Sequence, residues 1–464
     1  LAIRAASQAR KGRALIGDDR LLARFREKLP YRLTGAQERS IAEIIGDLTQ
    51  EAPMLRLLQG DVGSGKTAVA LAAMLRAVEA GAQAAMLAPT ELLARQHHVS
   101  LTEMLVGLDV RVAILTGREK GAARQAIYAE LAGGQIDILV GTHAIFQEAV
   151  TYKDLGFVVI DEQHRFGVNQ RMALTDKAKL PPHLLVMTAT PIPRTLTLTQ
   201  FGEMDESRLD QMPPGREPVE TRVISQERLD DVVDSVGRLL ETEGRAYWVC
   251  PLVGESDVIG ELAAAETRFA QLKSRFGADA VGMVHGQMPG PDKDAVMASF
   301  AAGNVKLLVS TTVIEVGVNV PEATLMVIEQ AERFGLAQLH QLRGRVGRGG
   351  GRSVCLLLRA PEISETARER LTLIRGTNDG FEIAEKDLVL RGGGELLGTR
   401  QSGEGSYRVA SGDDIMRLAD PARADARLFL EHEGGFAKSP RAEAMRELLY
   451  LFERDAAVPL LRAG

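Results

Sequence analysis

The feature that most constrains this chain is a rhythm of short, unbroken apolar runs alternating with longer helical stretches. Arg56–Gln59, Ala84–Ala88, Ile136–Val140, Phe157–Asp161 and Leu184–Thr188 form one series, with Ala68–Ala80 and Leu92–Met104 among the helical stretches between them. Ala246–Cys250, Ala280–His285, Val305–Ser310, Leu325–Glu329 and Ser353–Leu358 form a second. Strands without polar alternation are buried on both faces, and strands separated by helices pair in parallel. The expected class is therefore α/β, with two similar parallel-sheet lobes in tandem. Asp210–Pro218 carries three prolines and one glycine and reads as the linker between them. This divides the chain into a helical lead-in at 1–33, a first lobe at 34–215, a second at 216–361 and a mainly helical module at 362–464, where Met445–Phe452 fits an amphipathic helix.

At 464 residues, 45% hydrophobic and 25% charged, the chain is globular and not disordered. A net charge of -6 gives no bulk signal for nucleic acid. It does not exclude it, because phosphates are met by local patches and helix N-termini. The two cysteines, Cys250 and Cys355, sit in apolar runs and read as buried thiols. Without a disulfide framework a reducing, cytoplasmic compartment fits. No run of 18 apolar residues and no signal peptide stands in the sequence. The start at Leu1, inside a basic helical stretch, suggests an excised fragment.

The chemistry begins at Gly60-Asp61-Val62-Gly63-Ser64-Gly65-Lys66-Thr67, a G-x-x-x-x-G-K-T loop between a strand and a helix. Its glycines let the backbone wrap phosphate oxygens, and its N–H groups and the helix N-terminus point at the anion. Lys66 reaches the β- and γ-phosphates, and the Thr67 hydroxyl is suited to Mg²⁺. Asp161 and Glu162 close a second apolar strand, where ligands gather in open α/β sheets. Asp161 is expected to hold Mg²⁺ through water, and Glu162 to polarise the attacking water. His164 either senses the γ-phosphate or packs. Thr34 can cap the first helix, and Gln37 carries the donor and acceptor that suit an adenine edge.

The second lobe carries Gln338-Leu339-His340-Gln341-Leu342-Arg343-Gly344-Arg345-Val346-Gly347-Arg348. Arg345 and Arg348, three apart, are expected on one helix face. Guanidiniums offered to a neighbouring lobe's γ-phosphate stabilise the charge of phosphoryl transfer.

In this order the motifs resemble a superfamily 2 helicase, and most closely the RecG family of branch-migrating DNA translocases. The resemblance covers nearly all of residues 20–405 and implies RecA-like lobes. It makes Gln37 the adenine reader, Gly60–Thr67 the phosphate loop, Asp161–His164 the acidic motif, and Gln341, Arg345 and Arg348 the arginine motif. Loops at Pro89 and Thr90, Thr116 and Gly117, and Thr142 and His143 are similar to the family's nucleic-acid contacts. So are His285, Thr311 and Thr312. Thr188 and Thr190 match its coupling motif. Asp379-Gly380-Phe381 through Leu390-Arg391-Gly392, then Gly398–Gly403, resemble the translocation hairpin shared with the Mfd translocases, which carries over Arg391, Arg400 and Gln401.

The same resemblance implies ATP and Mg²⁺, a monomer, bacterial nucleoid association, forks and four-way junctions as substrates, and single-stranded-DNA-binding protein as a further partner. It also implies an N-terminal wedge domain, and residues 1–33 are too few to form that barrel. An Mfd-like translocase, a nucleotide-gated DNA clamp that does not move, and an RNA helicase stay open on the residues alone.

Overall fold

The computed structural model describes residues 11–162, 178–193, 204–242, 244–251, 258–311, 320–347, 349, 351–390 and scattered helical residues between 417 and 448. His164, Thr312, Arg348, Arg391, Arg400, Gln401 and most of the helix read at 445–452 lie outside them.

The lead-in joins the first lobe. α1 (Arg20–Lys28) buries Leu21, Leu22 and Phe25 in the same core as Leu15. α2 (Gly35–Leu48) starts on a capping box, in which the Thr34 hydroxyl accepts from Gln37 N–H and the Gln37 side chain accepts from Thr34 N–H. The lobe continues through β1 (Leu55–Gly60), α3 (Lys66–Glu79), β2 (Gln83–Leu87), α4 (Glu91–Met104), β3 (Val112–Leu115), α5 (Gly121–Gly133), β4 (Ile138–Gly141), β5 (Leu155–Asp161), β6 (His183–Thr188) and β7 (Asp205–Leu209). Its seven strands run β3-β4-β2-β5-β6-β1-β7, every pair parallel. Along β5, Phe157 and Val159 enter one core while Val158 and Ile160 enter another, so the sheet is covered on both faces as the unbroken apolar runs require.

The second lobe comprises β8 (Glu220–Ser225), α6 (Leu229–Leu240), β9 (Arg245–Val249), α7 (Val258–Phe276), β10 (Val281–Val284), α8 (Gly290–Ala302), β11 (Leu307–Ser310), β12 (Ala323–Ile328), α9 (Leu336–Arg343) and β13 (Val354–Arg359). Its strands run β10-β11-β9-β12-β13-β8, again all parallel. Trp248 and Cys250 face one core, and Tyr247 and Val249 the other. Both cysteines are buried free thiols, and burial pushes Cys355 up to about 12. Then α10 (Glu365–Gly376) and α11 (Gly380–Leu390) fold back on the second lobe, with Leu371, Ile374 and Ile383 in its core.

β3, β7 and β8 were not marked by the apolar runs. Each is an edge strand, and β7 and β8 are largely polar.

Candidate nucleotide site and its lobe interface

In the first sheet β5, β6 and β1 are neighbours, with Asp161 opposite Met187 and Thr188 opposite Gln59. Their carboxyl ends therefore bring together the acidic pair, the Thr188–Pro191 segment and the phosphate loop. Adjacent strands lie about 4.8 Å apart, so the acidic pair and the loop face each other across roughly 10 Å.

The loop's shape follows from its glycines. Gly63 and Gly65 have φ of 83° and 87°, which glycine adopts at no steric cost. A Cβ on Gly65 would strike the Gln37 amide, and one on Gly63 the Arg216 guanidinium. Lys66 opens α3, and its Nζ donates to the carbonyls of Gly60 (2.6 Å) and Asp61 (2.9 Å). Val62 and Ser64 are buried, and Thr67 follows Lys66 half-buried. Gln37 is only 1% exposed; its amide donates to the Ser64 carbonyl at 2.9 Å, and its oxygen is used by Thr34. The structure thus puts Gln37 beneath the phosphate loop, with one amide N–H and one oxygen lone pair bonded within the chain.

Asp161 is held by a residue the motif reading passed over. His97 of α4 lies 2.7 Å from Asp161 Oδ2. Burial pushes the Asp161 carboxyl up. The His97 bond, the Lys66 charge and the Glu162 N–H outweigh that and hold it below the usual carboxylate range. Glu162 has φ of 55°, a left-handed conformation that is costly for a residue with a side chain and is concentrated at functional sites. Oxygen donors from Thr67 and Asp161, beside Lys66 and a glycine cradle, fit a hard divalent cation with a polyphosphate.

The arginine motif meets the loop directly. α9 ends at Arg343, Gly344 caps it and Gly347 has φ of 81°, so Arg345 sits in a turn. The expected helix face is corrected for Arg345: the helix ends at Arg343 with Gly344 as its cap, before Arg345 is reached. Gln341 remains on α9. Gly344 packs against the phosphate loop, since a Cβ on it would come 3.0 Å from Val62 Cβ. Arg216, from the linker, bridges the two by donating to the Val62 and Gly344 carbonyls (3.3 Å for the latter). Half-buried Arg345 is the next residue.

Asp61 is a second point missed from sequence. Its carboxylate is 8% exposed and lies 2.8 Å from His340 Nε2 of α9, while Gly380 N–H of α11 donates to it at 3.2 Å. Burial pushes this carboxyl up, but those two bonds and the Lys66 charge leave it lowered. Only the long separation in sequence hid these pairs, and no local pattern announces them.

The loops read as nucleic-acid contacts all follow carboxyl ends of strands: Pro89 and Thr90 after β2, Thr116 and Gly117 after β3, Thr142 and exposed His143 after β4, His285 after β10 and Thr311 after β11. Thr90 caps α4 by accepting from Leu93 N–H. Glu91 accepts from Gly117 N–H at 2.8 Å and from Arg118 at 3.1 Å, which ties the first two loops together, and Glu119 accepts from both Thr116 N–H and hydroxyl within the second. Arg118 of this pair bonds Asp294 of α8 across the lobes. Thr188 and Thr190 share a hydroxyl bond of 2.9 Å.

A phosphate loop and acidic pair on one parallel-sheet lobe meet an arginine turn from a second, the two-lobed arrangement of the helicase-domain class. The DEAD/DEAH box helicase model matches residues 34–199 and the helicase conserved C-terminal domain residues 231–350. Residues 377–453 match the C-terminal part of domain 3 of the ATP-dependent DNA helicase RecG, and the chain belongs to the RecG family. It is 52% identical over 421 residues to RecG of Escherichia coli K12 and 48% identical over 429 residues to that of Bacillus subtilis 168. These alignments cover 90% and 92% of this chain but 60% and 62% of the relatives, so the chain spans about three fifths of their length. The solved structure of RecG bound to a three-way DNA junction superposes with a TM-score of 0.77 at 41% identity, covering 91% of this chain and 54% of that one. Yeast Dbp5 bound to RNA and ADP BeF3, at 18% identity and a TM-score of 0.58, shares the fold. Among the described residues no helix is long and apolar enough to cross a membrane.

Proposed function

We propose that this chain is the ATP-driven motor and coupling module of a DNA translocase that remodels branched DNA, reversing forks and migrating four-way junctions in recombination and repair. The observation that carries the reading is the meeting of the arginine turn with the phosphate loop, Gly344 against Val62 with Arg216 bridging both. The match of residues 377–453 to a RecG-specific domain favours branched DNA over polymerase displacement, a stationary clamp or RNA.

In this mechanism the loop N–H groups and Lys66 hold the triphosphate, and Lys66 exchanges its two carbonyl partners for phosphate oxygens. Thr67 and Asp161 would hold Mg²⁺, which supplies neutralising charge between the β- and γ-phosphates. Glu162 orients water for in-line attack. Arg345, with Arg348, meets the charge that develops on the γ-phosphate. Closing and reopening of the lobes changes the spacing between the 89–91 and 116–119 loops on one side and those at His285 and Thr311 on the other. Phosphate contacts dominate, so binding is weakly sequence dependent and falls with salt. A monomeric state, nucleoid association and recruitment by single-stranded-DNA-binding protein belong to the same proposal.

The test is ATP hydrolysis with a panel of linear duplex, single-stranded, forked and four-way DNA, and RNA. Forked and four-way DNA should stimulate most. Equal stimulation by RNA, or none by any DNA, would refute the reading.

A further inference from the structure

Gly380 occupies a position where three motifs distant in sequence meet. A Cβ there would overlap Asp61 Oδ1 of the phosphate loop, come within 2.5 Å of His340 Nε2 in the arginine motif, and within 2.8 Å of Pro191 Cγ in the coupling motif. Its φ is outside the left-handed set, so glycine is required here by space and not by conformation. Its N–H, one of those a helix start leaves without an intrahelical partner, is satisfied from the other lobe by Asp61 Oδ2.

Asp61 in turn has two attachments. Its main-chain carbonyl accepts from Lys66 Nζ at 2.9 Å and from Ser64 N–H at 3.1 Å, and its carboxylate holds His340 and Gly380. The residue that feels Lys66 is therefore the residue that grips α11.

The His340 end of the joint has a defined proton. Arg343 Nη2 lies 2.9 Å from His340 Nδ1, and a guanidinium has only hydrogens to offer. Nδ1 is thus the acceptor, and Nε2 carries the hydrogen given to Asp61. Arg343 also donates to the carbonyls of Ile374 (2.5 Å) and Thr377 (2.8 Å) at the end of α10. Both hairpin helices are in this way wired to one carboxylate: α11 through Gly380, and α10 through Arg343 and His340.

We propose that the Asp61–Gly380 contact is the joint through which the phosphate loop drives the α10–α11 hairpin directly, and that Gly380 is a positioning residue whose missing side chain lets the joint close. A triphosphate competes with the Asp61 carbonyl for Lys66. Loss of the Lys66 bond leaves that carbonyl to Ser64 N–H alone and lets Asp61 reorient, and its carboxylate moves the N-terminus of α11. The proposal rests on the motor reading above and names the residues that carry its stroke.

Two readouts on the full-length protein test it. The first needs no DNA: hydrogen exchange of amides 380–390 with and without a non-hydrolysable ATP analogue. In the wild type, exchange at the start of α11 should change by about 5-fold or more on nucleotide binding, within the range of ordinary coupling energies. Gly380→Ala and Asp61→Asn should remove most of that change. Asp61→Asn keeps the side-chain shape, but its amide must face one of the two donors. The second readout is strand displaced per ATP hydrolysed on a forked DNA. Loss of the joint should lower this ratio by about 10-fold in either variant. A merely structural defect would lower hydrolysis and displacement together and leave the ratio unchanged.

A wild-type α11 indifferent to nucleotide, or an unchanged ratio in Asp61→Asn whatever the fate of Gly380→Ala, would overturn the joint. A wild type whose α11 responds to nucleotide but which displaces no strand would leave the joint standing and sink the translocase reading instead.

Discussion

Replacing Arg343 with methionine should undock the helical hairpin while sparing both sheets. Arg343 is 2% exposed, and its guanidinium reaches the Ile374 and Thr377 carbonyls and His340 Nδ1. Methionine keeps much of the stem volume and offers no hydrogens. Hydrogen bonds to a charged group contribute about 1.5–3 kcal/mol each, so three give a gross loss of roughly 5–9 kcal/mol. Against this stands the cost of burying the charge, visible as a guanidinium pKa pushed down by desolvation. Breaking a buried charged network by removing one partner nets about 3–5 kcal/mol. The loss falls mainly on docking of α10 and α11, because the two shortest of its contacts are to the end of α10, while its fourth, to the Thr221 hydroxyl of β8, is long at 3.5 Å. At the lower figure, the opening equilibrium shifts by about 100-fold. Hydrogen exchange should show faster exchange across 365–390, with β9 and β11 unchanged. Arg343→Lys should fall between, since one ammonium cannot serve both carbonyls in a fixed fork. Protection of 365–390 within about 2-fold of wild type would refute the claim that Arg343 fastens the hairpin.

Three further outcomes are expected. Lys66→Ala should lose nearly all hydrolysis in a phosphate-release assay, because no other cation is placed to replace Lys66 within the loop; wild-type turnover would remove the site from Gly60–Thr67. Arg345→Ala should bind a fluorescent ATP analogue within a few-fold of wild type and lose about 10³-fold in kcat, and an unaltered kcat would end its assignment. The Asp61 carboxyl is lowered in the folded protein relative to an unfolded value of about 3.9, so its contribution is present above that pH and is lost as pH falls through the lower folded value. Asp61→Asn should accordingly be less stable than wild type at pH 7, with the gap in urea midpoint closing under acid; a gap that widens as pH drops would contradict the sign.

Much of the architecture could be read from the residues, for a definite reason. Nine of the ten runs are interior strands and the tenth, β10, is an edge strand with apolar residues in both cores; strands buried on both faces must be apolar along their whole length. The strands that escaped notice are edges. Asp205–Leu209 presents Asp205, Glu206 and Arg208 away from full burial, and Glu220–Ser225 is similarly mixed. The phosphate loop and Asp161–Glu162 were legible because backbone chemistry dictates residue type at fixed spacing. The lobe interface was not. His97 on Asp161, His340 and Gly380 on Asp61, and Arg216 on Val62 are side chains from remote segments that meet only once two sheets have docked. The arginine segment was singled out for Arg345, while its buried members His340 and Arg343 went unassigned. The helix on which the arginines were to be aligned ends at Arg343, with Gly344 as its cap, before Arg345.

The placement of β1 has a consequence for biosynthesis. The strand that delivers the phosphate loop, residues 55–60, lies between β6 at 183–188 and β7 at 205–209, and finds no partner among the residues next to it in sequence. On a ribosome emitting about 5–20 residues per second, the segment bearing Lys66 must wait several seconds after its own emergence for its neighbours to appear. A nascent chain halted before residue 183 would present the complete Gly60–Thr67 motif and still lack both strands that flank β1. Competence to take up nucleotide should therefore arise as one of the last events in maturation of the first lobe.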